Sequence, residues 1–151
     1  MKGETREMAG KLKKLRIYGI LYFIFGFVDA LNLLIRVWIG EYSVAQIVKS
    51  EFFNETVGTL VMVLEFFFTA IVVAAYLCLA LKGYSYGIGE GYGYTHVKVA
   101  KIMPALLAIR LGITVLMIFG KQVDYISIVT DIVGLSTIFS YSRCARIALE
   151  S

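Results

Sequence analysis

The 151-residue chain is 59% apolar and 17% charged, with a formal net charge of +4. So apolar a chain of this length has no room for a water-soluble domain beside its hydrophobic stretches, and its basic residues read as membrane topology rather than as a nucleic-acid surface. One His and two Cys, with no Cys-x-x-Cys, leave no ligand set for haem or zinc and no thiol–disulfide centre.

The first 16 residues form a basic tail, and its run Lys11-Leu-Lys13-Lys14-Leu-Arg16 suits anionic lipid headgroups, at about 1 kcal/mol for each basic residue. The first apolar run, 17–40, is a full span. A signal peptide would have a core of only ~7–15 residues and a small-residue cleavage site, so this run is expected to remain. In the first loop, Val44, Ile47, Val48 and Phe52 fall at helical spacing and predict a short amphipathic helix within 43–53. Asn54-Glu55-Thr56 matches a glycosylation acceptor, but it sits too near the bilayer to count.

The second span, 57–82, leads into a segment, 83–94, in which Gly alternates with Tyr. It lacks G-x-G-x-x-G and the strand that a dinucleotide site requires. The expectation is a flexible connector with interfacial tyrosines; a docking surface for a partner is the other reading. His96 follows as a solvated loop residue. The third span, 99–120, carries Pro104, which either marks a first turn or kinks the helix. The fourth, 123–143, completes an all-α membrane bundle forming one domain.

Lys and Arg set the orientation. Lys2, Arg6, Lys11, Lys13, Lys14, Arg16, Lys82, Lys98, Lys101, Arg143 and Arg146 fall on one side, against Lys49 and Lys121 on the other. Both termini are therefore expected in the cytoplasm, with the protein integral to the cell membrane. Cys78 and Cys144 then lie near the reducing face and should be free thiols.

Each span also carries charge where lipid would be: Asp29 and Arg36, Glu65, Arg110, and Asp131. Ionisable groups in such segments are rare and mark function or mutual pairing. At 100° per residue, Tyr22, Asp29, Asn32 and Arg36 share one arc of the first span. Glu65, Thr69 and Tyr76 share a face of the second, Met103, Arg110, Thr114 and Met117 of the third, and Asp124, Ser127 and Asp131 of the fourth. At ~1.5 Å per residue, Glu65 and Asp131 lie ~12 Å deep and Arg110 ~15 Å deep, so the charges are expected to meet in one layer. Asp29 and Arg36 are too far apart on one helix to pair, and each needs another helix. Three deep acids against two arginines predict one acid without a basic partner; it would be protonated, hold a cation, share an arginine or pair with another chain.

Gly26 with Ala30, and Ala70 with Ala74, are small-xxx-small steps suited to close helix contact within the chain or between copies. No nucleophile has a base within the spans, so neither catalysis nor a cofactor is expected. The leading expectation is an oligomeric transporter or channel, or a subunit of one, that moves a proton or cation past Asp29, Glu65, Arg110 and Asp131. The alternative is a non-catalytic accessory or scaffold subunit of a larger membrane assembly, its buried charges purely structural.

Overall fold

An apolar backbone in lipid must satisfy its own N–H and C=O groups, so a long apolar run becomes a helix. The computed structural model describes residues 2–38, 55–119 and 124–150, excepting the side chains of 55–58 and 119. Four helices occupy them: α1 Lys2–Trp38, α2 Glu55–Gly87, α3 Thr95–Phe119 and α4 Tyr125–Glu150. All four are long and apolar enough to cross a membrane. The amphipathic helix expected within 43–53, together with Lys49, Asn54 and Lys121, lies outside the described residues.

The helices outrun the apolar stretches. The basic tail is the start of α1, steadied by a Glu7–Lys11 ion pair of 2.6 Å one turn apart. At the other seam α2 continues to Gly87, taking in the first half of the Gly/Tyr segment. The cause is contact with α1: a Cβ on Gly87 would lie 2.7 Å from Cβ and 2.8 Å from N of Arg16. Because α3 begins at Thr95, Pro104 falls in its interior, where it removes the N–H that would reach the Ala100 carbonyl.

The helices form an antiparallel ring. α1 packs on α2 and α4, α3 packs on the same two, and α2 and α4 meet across the centre at few points. Gly19 lies against Ala80 and Tyr84 of α2, while Gly26, two turns on, lies against Leu77 and Tyr76. Both ends of the described chain therefore sit at one end of the bundle. Gly26 serves the α1–α2 contact; Ala70 and Ala74 are exposed.

Outward positions are Phe23, Phe27, Leu34, Phe67, Ile71, Ile102, Ile109, Val129 and Phe139, all exposed, whereas Asp29, Glu65, Arg110 and Asp131 are fully buried. This inside-out arrangement suits a lipid surround and would leave far too large an apolar face in water. Two apolar clusters bracket the charges. The larger, at the end holding the termini, includes Tyr22, Val72, Tyr76, Leu79, Leu107 and Tyr141; at the opposite end Met62 packs on Met117.

The segment after α2 is folded. Gly89 and Gly93 adopt φ of +83° and +74°, which glycine tolerates and other residues resist. The Tyr86 hydroxyl donates to the Gly93 carbonyl, and Lys82 Nζ donates to the Tyr92 carbonyl at 3.0 Å. Lys82 and Lys98 lie over the rings of Tyr92 and Tyr94, 3.8 and 4.6 Å from their centroids. His96 is not solvated: it is buried in the first turn of α3, its ring 4.6 Å from that of Tyr86. Neither ring nitrogen has a hydrogen-bond partner among the described residues.

Candidate functional site

The five charges of the four apolar runs separate into two groups, not one layer. In the first, Arg110 of α3 binds carboxylates from two other helices. Its Nε donates to both oxygens of Asp131, at 2.8 and 3.1 Å, and its Nη2 also donates to Asp131. The same Nη2 reaches Asp29 of α1 at 2.9 Å. Thr130 completes the group: its hydroxyl accepts from Nη2 at 3.1 Å and lies 3.1 and 3.3 Å from the Asp29 oxygens. Arg110 Nη1 is buried and has no hydrogen-bond partner among the described residues.

The second group lies two turns along α1. Arg36 donates to Glu65 of α2 at 2.7 Å and to Asp124 at 2.8 Å. Asp124 precedes α4 and caps it, accepting from the Ser127 N–H at 3.1 Å and from its hydroxyl at 2.6 Å. Asn32 of α1 donates to the same carboxylate at 3.0 Å. Arg36, Glu65, Asp124 and Asn32 thus form a buried clasp joining α1, α2 and the start of α4.

The expected acid without a basic partner is therefore absent among the described residues. Sharing is the outcome: two arginines face four carboxylates. The fourth, Asp124, is 8% exposed. The inner group alone holds two carboxylates and one guanidinium, a formal charge of −1 when all three are ionised. Buried charge without full compensation is costly in any low-dielectric surround.

The supporting polar residues divide. Tyr76 donates to the Thr130 carbonyl at 2.9 Å, and Tyr22 lies 2.8 Å from the Thr137 hydroxyl. Asn32 and Ser127 both bind Asp124. Thr114 turns back to the Arg110 carbonyl at 2.9 Å, and Thr69 reaches Glu65 only at 3.5 Å, the limit of a useful hydrogen bond.

Thr130 and Thr137 were not legible as site residues from the carboxylate stripe. Together with Ser140, which accepts from Tyr18 at 2.9 Å, they form a second stripe on α4 that faces α1. Their signal was the recurrence of hydroxyls at 127, 130, 137 and 140, spaced by whole helical turns. The α1–α4 seam is consequently polar along its length, from Asn32–Asp124 through Asp29–Thr130 and Tyr22–Thr137 to Tyr18–Ser140.

Fold and site define an all-helical, four-helix chain with buried arginine–carboxylate groups. No protein-family model matches it, and comparison with curated proteins and with solved structures yields no match.

Proposed function

We propose that the chain is a small integral membrane carrier that moves a proton or a monovalent cation, with Asp29 of the Arg110 group as the exchanging carboxylate. The carrying observation is that one buried guanidinium serves two buried carboxylates. A purely structural clasp gains nothing from a surplus acid, or from a donor left orphaned on the same arginine. A proton or cation that comes and goes supplies the missing charge. Asp131 holds three arginine hydrogen bonds and Asp29 holds one, so Asp29 is the acid more readily released.

In this reading both termini face the cytoplasm, in accord with the eleven Lys and Arg residues assigned there, and the protein works as an oligomer in the cell membrane. The outward small residues Ala70 and Ala74 leave α2 open to another helix. The basic start of α1 rests on anionic headgroups. No enzymatic step is involved.

The test is reconstitution into liposomes holding a pH-sensitive dye, with an imposed pH gradient. Wild type should collapse the gradient and Asp29→Asn should not, while Asp29→Asn keeps its helical content and monodispersity. Proton movement undiminished in Asp29→Asn would remove the acid from the path.

The accessory-subunit reading draws on one feature, the ordered Lys82–Lys98 loop region beside the exposed basic start of α1. It predicts no flux from the pure protein, and loss of a co-purifying membrane partner when Tyr92 and Tyr94 are replaced by Ser.

A further inference from the structure

Two lipid-facing crevices among the described residues differ in what lies behind them. One, of about 210 Å³, follows the α1–α2 seam past Gly19, Phe23, Ala80 and Tyr84. Helix backbones in close approach flank it, since a Cβ on Gly19 would meet Tyr84 N at 2.7 Å. No buried charge lines it. The other, of about 360 Å³, opens along the α1–α4 seam between Ile24, Phe25, Val28, Ile126, Val129 and Thr130. That volume lies within the roughly 300–1,000 Å³ range of small-molecule sites.

Thr130 alone among those lining residues belongs also to the charged group. Its hydroxyl lies 3.1 Å from Asp29 Oδ1 and 3.1 Å from the Ser127 carbonyl oxygen. One hydroxyl proton therefore has two competing acceptors, and a turn of Thr130 toward Ser127 removes its hydrogen bond from Asp29. The mouth is apolar and outward-facing, with Ile24 and Val129 half exposed. Behind Thr130 stands a buried acid for which the group's only arginine is shared with Asp131.

We propose that the α1–α4 crevice is a lateral entry for a lipophilic monocation, its apolar body seated between Ile24, Val28, Ile126 and Val129 and its charge on Asp29. The inference rests on the carrier reading above and names its substrate class. The two halves of the match are the apolar lining and, one side chain behind it, a carboxylate whose single arginine hydrogen bond comes from a guanidinium shared with Asp131. A hydrophilic cation gains nothing from the lining, and a neutral hydrocarbon gains nothing from Asp29.

The test uses the full chain in lipid nanodiscs and radiolabelled 1-methyl-4-phenylpyridinium, a flat aromatic monocation. Wild type should bind it saturably. Its uncharged isostere 4-methylbiphenyl and the hydrophilic tetramethylammonium should each compete at least tenfold more weakly. Asp29→Asn and the crevice-filling Val129→Trp should each weaken binding at least tenfold; Val129 faces lipid, so its replacement leaves the polar network intact. Competition by the isostere or by tetramethylammonium as strong as by the probe itself would overturn the proposal, as would unchanged affinity in a folded Asp29→Asn. Proton flux by wild type without any saturable binding would sink the lateral entry and leave the carrier reading standing. Asp29-dependent binding without flux would uphold the entry site and sink the carrier reading.

Discussion

Asp29, Asp131 and Asp124 are chemically identical side chains held very differently. Asp124 accepts from Asn32, from Arg36 and from both the N–H and the hydroxyl of Ser127, and Asp131 takes a bidentate grip from Arg110. Asp29 has one arginine hydrogen bond and a shared hydroxyl. Breaking a buried pair by removing one partner costs about 3–5 kcal/mol. Asp131→Asn and Asp124→Asn should therefore lower the melting temperature in nanodiscs sharply, with Asp29→Asn losing less than half as much; equal losses would make Asp29 a structural acid. A second residue-scale prediction concerns Gly134, where a Cβ would collide with the Tyr76 hydroxyl and lie 3.0 Å from Leu107 Cδ1. Gly134→Ala should cost about 1–3 kcal/mol by overpacking, and a double-mutant cycle should show that Tyr76→Phe relieves part of that cost. At His96 the ring is buried with neither nitrogen partnered among the described residues, and an unsatisfied buried polar group costs about 1–3 kcal/mol. His96→Phe, which keeps the ring on Tyr86, should leave the melting temperature unchanged or raise it.

Between elements, the α1–α2 seam is set by glycine. At Gly19 an added Cβ would meet Tyr84 N at 2.7 Å and the Ala80 carbonyl at 2.9 Å. These are backbone atoms, which cannot rotate away as a side chain can, so the helices themselves must separate. At Gly112 on α3 nothing lies within 4 Å. Urea titration in detergent should therefore rank Gly19→Ala as strongly destabilising and Gly112→Ala as neutral or better, since Gly in a helix is about 1 kcal/mol less favourable than Ala. Sequence patterning exposed part of this seam. Gly26 and Ala30 read as a close-packing step, but Gly19 and Gly87 did not, because their partners lie some sixty residues or more along the chain. The Gly/Tyr segment was misread for a related reason. Composition suggested flexibility, whereas the hydrogen bond from Tyr86 to Gly93 and that from Lys82 to Tyr92 fold the loop back onto the end of α2.

Taken whole, the molecule is a ring of four antiparallel helices with lipid-suited residues outside and a charged, hydroxyl-rich interior. Its orientation in the membrane is a separate prediction. In a background with Cys78 and Cys144 replaced by Ser, Glu4→Cys, Glu90→Cys and Glu150→Cys should all be blocked by an impermeant thiol reagent from the cytoplasmic side alone; labelling of any one from outside would break the topology. Four apolar runs, their helical state and the inward stripes of Tyr22, Asp29, Glu65, Arg110 and Asp131 followed from the sequence by itself. Length against bilayer thickness and a period of 3.6 residues are properties of one segment at a time. Only the tertiary structure decided that Arg36 takes Glu65 and Asp124 while Arg110 takes Asp29 and Asp131. The face of its helix on which each charge lies was readable, yet a hydrogen bond is decided within a few tenths of an ångström. That precision comes from which helices stand side by side and how closely their glycines let them approach.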